Sequence, residues 1–200
     1  MSCIFVSNKN QELKLYIMKT IKVPTKEQVD SKAGAIFDNL QANLGMIPNI
    51  YATIGYSSDV LEAYLNYSNA IQNTSFNKKE GEAIKLAVSE VNQCEYCTAA
   101  HTVLAKMNGF SEDETIQIRK ARLEDEKLNT LVKAAQEIAL KNGAISEEMK
   151  NLFFAQGYDV KAFIDLIATV NAVSFTNYIH NATKITVDFS AAPSLLACSA

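Results

Sequence analysis

The chain has 200 residues, enough for one well-buried domain or two small ones, and 48% of them are hydrophobic, which excludes a disordered chain. Its 19 basic and 22 acidic residues leave a net charge of −3 with no basic stripe, which excludes nucleic acid as the main partner.

Residues 1–17, MSCIFVSNKNQELKLYI, hold a short apolar stretch broken from Ser7 to Gln11. This is neither a signal-peptide core nor a membrane span. We expect a loosely ordered tail there, with the domain running over residues 18–190 and a small, apolar tail at 191–200. With no export signal read, the expected compartment is the cytoplasm. Thiols stay reduced there, so paired cysteines point to catalysis or metal binding rather than to a structural disulfide.

Only three prolines and seven glycines interrupt the chain, and its apolar spacing is helical throughout. Thr25-Lys26-Glu27-Gln28 has the form of a capping box. It is expected to open a helix with Val29, Ala33, Ile36, Phe37, Leu40 and Leu44 on one face, ended by Gly45. Residues 46–51, with Pro48, form a turn or a short helix start. Ser57 or Ser58 caps a long helix carrying Val60, Leu61, Tyr64, Leu65 and Ile71. Asn77, with Glu80 three residues on, caps the next, with Ile84, Ala87, Val88 and Val91 inward. A further helix starts near Cys94 and stops at Gly109. Ser111 to Glu114 is another capping box. Leu128, Leu131, Val132, Ala135, Ile138 and Ala139 mark a helix ending at Asn142-Gly143. Ser146 caps a short helix, and Asp159 caps a long last one with Phe163, Ile164, Ile167, Val170, Phe175 and Tyr178. Alternating strand patterns are absent, so the expected fold is all-α, a single-domain helical bundle.

The chemistry concentrates in one place. The chain has four cysteines and two histidines, and three of these six residues, Cys94, Cys97 and His101, fall within eight positions. Spacings of three and four put them on one helical stripe with Leu104, facing the core or a cleft. Cys94 sits at the helix start, where free backbone N–H groups stabilise an anion. Cys97 lies one turn from His101. The helix start therefore favours Cys94 as the more acidic thiol, and the imidazole favours Cys97. On the preceding helix, Glu82 comes alongside His101 if the two helices run antiparallel, and a carboxylate there fixes the imidazole tautomer and raises its basicity. Glu90 lies nearer the junction, within reach of Cys94 or the turn. Cys3 and Cys198 read as incidental, and His180, on the last helix, as a satisfied surface or core histidine. Tyr96 and Tyr178 suit a cleft or ordinary packing.

Zinc is the competing use of Cys94, Cys97 and His101, but no second Cys or His cluster completes a closed four-ligand site, so no metal and no cofactor is expected.

The segment EAIKLAVSEVNQCEYCTAAHTVLAKMNGFSEDE, residues 82–114, resembles the alkylhydroperoxidase D-like family, also called the carboxymuconolactone decarboxylase family. Residues 44–71 and the end, NYIHNATKITVDF (177–189), resemble the peroxidase-related branch of that family. The resemblance implies an all-α fold assembled into trimers or hexamers, and reduction of a hydroperoxide by a thiol pair. It implies that Cys97 attacks, Cys94 resolves, His101 relays protons and Glu82 orients it, with a less defined place for Glu90. It also implies a dithiol reductant, a lipoyl or thioredoxin-like protein. The better-studied peroxidases of the family carry a histidine between the two cysteines, where this chain has Tyr96. Members that decarboxylate a muconolactone lack the thiol pair, so that reaction is not expected. The competing readings are a non-catalytic oligomeric redox sensor and a general thiol-disulfide oxidoreductase. Neither nucleic acid nor membrane is expected as a partner.

Overall fold

A computed structural model describes residues 20–195 and is all-α over them. The helices are α1 (Ser31–Leu44), α2 (Asn49–Ile54), α3 (Ser58–Ile71), α4 (Lys78–Val91), α5 (Glu95–Met107), α6 (Glu112–Lys120), α7 (Glu126–Leu140), α8 (Glu147–Ala155) and α9 (Val160–Thr183). Most starts follow from a polar side chain that takes a free N–H of the first turn. Asp30, Asn77, Ser111, Asp125, Ser146 and Asp159 accept from Ala33, Glu80, Glu114, Leu128, Met149 and Ala162 respectively. The expected tail at 1–17 lies outside the described residues.

One boundary differs from the sequence expectation. The Thr25 capping box opens only a 3₁₀ turn, Lys26–Gln28. Val29 is extended, and Asp30 starts α1 afresh. Two well-placed caps five residues apart compete, and the one followed by the apolar face of Ala33 and Phe37 forms the long helix. Leu44, expected inward, is 56% exposed, because the last turn of α1 runs past the core. Gly45 then takes the left-handed conformation that ends the helix.

Helix α4 is the hub, packing on α5, α6, α7 and α9. Its alanines, Ala83 and Ala87, let those neighbours approach closely on several sides. One core forms where α4, α7, α8 and α9 meet, around Ile84, Leu131, Phe153 and Leu166. A second, around Leu86, Phe110, Ile118 and Val132, joins α4 to α5, α6 and α7. The third surrounds the two thiols and draws in Phe37, Ile50, Leu61 and Ile185. Helix α9 is long and apolar enough to cross a membrane by length and composition, but half of its apolar window is buried against its neighbours, as in a core helix.

After α9, Lys184 turns left-handed and the chain returns across the thiol core, with Ile185, Val187 and Phe189 packed on it. Asp188 accepts from the Asn49 N–H at 2.8 Å, supplying α2 with the cap that Pro48 cannot provide. Within the expected C-terminal tail, the Pro193 carbonyl accepts from Arg119 Nη1.

Candidate active site

The α4–α5 junction builds the site. Gln93 N–H donates to Glu90 O, and Cys94 N–H donates to Ser89 O. With Gln93 at φ 53°, this is a Schellman motif closing α4. Cys94 is therefore the last residue of that motif and also the N-cap of α5. Its Sγ accepts from the Cys97 N–H at 3.3 Å, in the position where a serine or aspartate oxygen normally caps a helix. The reversal runs α5 antiparallel to α4.

Both thiols are free and buried, Cys94 at 0% exposure and Cys97 at 3%. The Cys97 thiol donating to it, the Cys97 N–H and the Asn177 side chain lower the Cys94 pKa against the effect of burial, and Lys184 adds attraction. Cys97 is raised well above an ordinary thiol, first by its bond to Cys94 and then by burial. Of the two thiols, Cys94 is thus the one that more readily carries negative charge.

The antiparallel hairpin brings Glu82 to His101. His101 Nδ1 lies 2.8 Å from Glu82 Oε2, and Lys85 Nζ donates to Glu82 Oε1 at 2.9 Å. Burial opposes the charged carboxylate, but His101 and Lys85 overcome it and hold Glu82 down at about 2. His101 is bonded to Glu82, while Cys97 Sγ sits 3.6 Å from Thr176 Oγ1 on α9. Tyr51 and Tyr64 complete the wall on the Cys97 side. Burial, with Cys97 and Glu82, pushes the Tyr51 phenol up to about 12.

Glu90 stands apart from the thiols. Its Oε2 accepts from Arg119 Nε of α6 at 2.7 Å. Tyr178 is exposed. The Tyr96 ring is buried, and its hydroxyl accepts from the Ile50 N–H at 3.2 Å, so it fastens α2 to α5.

Two parts of the surroundings escaped sequence reasoning. His180 is buried, with Nδ1 3.7 Å from Cys94 Sγ. Asn177, one turn earlier on α9, bonds Asn92 and Ser89 of the α4 end and faces both thiols. The available signal was the segment 177–189 itself, which holds a histidine and two asparagines on an otherwise apolar helix.

Among the described residues no three His, Cys, Asp or Glu side chains gather as a metal-binding group. An apolar groove of about 410 Å³ lies between α3 and α9, lined by Val60, Tyr64, Tyr67, Ala172 and Phe175. A larger cleft of about 860 Å³, between the starts of α4, α6 and α7, holds none of the thiol-site residues.

Residues 58–140, from α3 to the end of α7 and including the whole thiol hairpin, match the carboxymuconolactone decarboxylase family. No curated protein matches the sequence. Solved structures share the fold. An uncharacterized peroxidase-related protein from Ralstonia eutropha, with an alkylhydroperoxidase AhpD core, superimposes with a TM-score of 0.74 at 19% identity, over 83% of this chain and 90% of that one. A peroxidase-related protein from Silicibacter sp. gives 0.72 at 20% identity, over 82% and 88%. The debrominase Bmp8, as a cysteine-to-alanine variant in complex with 2,3,4-tribromopyrrole, gives 0.72 at 18% identity, over 86% and 93%. The thiol hairpin thus lies inside the segment that matches the carboxymuconolactone decarboxylase family, and the helical fold around it is that of the alkylhydroperoxidase AhpD-like, peroxidase-related structures.

Proposed function

We propose that the chain is a thiol-dependent peroxidase that reduces a hydroperoxide with the Cys94–Cys97 pair. The observation that carries this reading is a free, buried dithiol, with Cys94 Sγ accepting from the Cys97 N–H, set in the same helix hairpin as a Glu82–His101 dyad. Cys97 lies one turn before His101 on α5 and, like Glu82, acts on the Tyr51 phenol; it is the attacking thiol. Its proton passes to the Cys94 thiolate. The Cys97 sulfur then takes the distal peroxide oxygen, the O–O bond breaks, and the leaving alkoxide is protonated through His101, giving an alcohol and Cys97 sulfenic acid. Cys94 loses its proton and attacks the Cys97 sulfur. The S–O bond breaks, and water leaves as the disulfide forms.

Burial of both sulfurs favours a small substrate over a protein disulfide, which supports peroxide reduction over general disulfide exchange. The same burial favours a slender dithiol arm of the lipoyl type as reductant over a folded thioredoxin-like partner. The reading places the reaction in the cytoplasm, where such dithiols persist. The exposed apolar side chains Val160, Ile164 and Ile167 on α9, with Val60 and Tyr67 on α3, support a homo-oligomer, a trimer or hexamer.

The test adds one equivalent of an organic hydroperoxide to reduced, metal-free protein, quenches with an alkylating agent and reads the peptide masses. A rapid Cys94–Cys97 disulfide, lost in Cys97→Ser, supports the proposal. Two free thiols after minutes overturn it. Peroxide consumption that survives Cys97→Ser but not Cys94→Ser exchanges the two cysteine roles.

A further inference from the structure

Besides His101, a second imidazole lies against the thiol pair. His180 belongs to the last turns of α9, 86 residues from Cys94 in sequence, yet its Nδ1 is 3.7 Å from Cys94 Sγ. It is 3% exposed, and its ring packs on Tyr96 with centroids 5.6 Å apart. A polar side chain buried so completely needs a partner. The Ile185 backbone and the Asn181 side chain also bond this ring, and its Nδ1 faces the Cys94 sulfur.

We infer that His180 is a further catalytic residue, the proton partner of Cys94, which keeps that sulfur anionic in the resting dithiol and again when it must attack the Cys97 sulfenic acid. The inference deepens the peroxidase reading, in which Cys94 first gains a proton from Cys97 and then has to lose it.

The surrounding charges suit this task. Burial lowers the His180 pKa, and Lys184 adds to the effect, against the pull of Glu95, the Ile185 backbone and Asn181. The ring is therefore neutral near pH 7. A neutral imidazole donates to a thiolate through one tautomer and accepts a thiol proton through the other. The Cys97 thiol, the Cys97 N–H, the Asn177 side chain and Lys184 also favour the Cys94 anion. The neighbouring Tyr96 phenol is held protonated by burial and by Asp188, so it does not compete for the proton. A hydrogen bond to the charged form of a thiol lowers its pKa, so removing the imidazole raises it.

The experiment follows alkylation of Cys94 against pH in reduced, full-length Cys97→Ser protein, where Cys94 is the motif's one remaining thiol, by peptide mass. The same profile is then taken with His180→Phe added, which keeps the aromatic packing on Tyr96, and with His180→Gln added, which keeps a donor. The expected midpoint rises by about one pH unit, a tenfold loss of thiolate below it, in the Phe variant, and part of that shift returns in the Gln variant. An unchanged midpoint in the Phe variant overturns the inference. If both variants fail to fold, the ¹⁵N ring signals of His180 in unmodified protein decide. A shift of the Nδ1 resonance on closing the disulfide supports the pairing, and an invariant resonance overturns it. These readouts need no peroxide: a shifted midpoint in a protein that leaves hydroperoxide untouched sinks the peroxidase reading and leaves the His180–Cys94 pairing standing.

Discussion

Asn92 Nδ2 donates to Asn177 Oδ1 at 2.8 Å, between residues 85 apart in sequence. The Asn177 side chain continues to Ser89 Oγ at 3.3 Å, and Asn181 Nδ2 reaches the Asn92 carbonyl at 2.8 Å. Three polar contacts thus lock the α4–α5 reversal onto α9, and with it the distance from Cys94 to His180. Asn177 is fully buried, so Asn177→Ala leaves Asn92 and Ser89 short of a partner. The expected cost is about 1–3 kcal/mol, read as a lowered midpoint in urea unfolding, with slower disulfide closure alongside it. An unchanged midpoint speaks against the clamp.

Glu82→Gln removes the anion that His101 faces while keeping the size of the side chain. On the proposed mechanism, peroxide reduction falls by about 100-fold, whereas Lys85→Met, which removes the carboxylate's other partner, costs far less. Stopped-flow consumption of an organic hydroperoxide separates the two variants, and equal losses count against a relay through His101.

The Glu82 carboxylate also sets an acid limb for stability. Its folded pKa, about 2, is below its ordinary value of 4.5. The folded state then binds fewer protons than the unfolded chain between these values. The stabilisation is complete above about pH 4.5 and is lost as pH falls through that window toward 2. Urea midpoints from pH 6 to pH 2 check this, and Glu82→Gln is expected to flatten the corresponding part of the curve.

Glu90 is expected to be structural. Arg119 bonds the Glu90 carboxylate and also the Pro193 carbonyl, tying α4, α6 and the C-terminal segment together. Glu90→Gln should keep peroxide reduction within about threefold while exposing the segment after Phe189 to protease. A loss as large as that of Glu82→Gln would restore Glu90 to the chemistry.

Gly55 has no room for a side chain. A Cβ there meets Phe37 ring atoms at 2.6 and 2.7 Å and the Ala52 carbonyl oxygen at 2.9 Å. Gly55→Ala should cost about 1–3 kcal/mol in thermal or urea unfolding. A neutral result counts against a close α1–α2 contact at this position.

Local signals are legible in the sequence. Asn77, Ser111, Ser146 and Asp159 each cap the helix expected of them, because a cap is a contact between residues three apart. The meeting of Glu82 and His101 followed from one antiparallel hairpin and helical periodicity. His180 and Asn177 were not legible in the same way. Helix α9 is apolar over most of its circumference, so periodicity singles out no inward polar stripe, and its partners lie more than 80 residues away. Glu90 is near Cys94 in sequence, but the helical turn points its carboxylate toward α6, where Arg119 receives it.

The use of a sulfur as the cap of α5 ties the fold to the redox state. In the dithiol, Cys94 Sγ sits at the positive end of a helix dipole, which favours its charged form, and satisfies the Cys97 N–H. Closing the disulfide neutralises that sulfur, and the first turn of α5 loses its strongest acceptor. The reduced form is therefore favoured by interactions that the oxidised form gives up, which raises the reduction potential of the couple. A dithiol of modest reducing power then suffices to regenerate it, and oxidation becomes legible at a distance as fraying of one helix end.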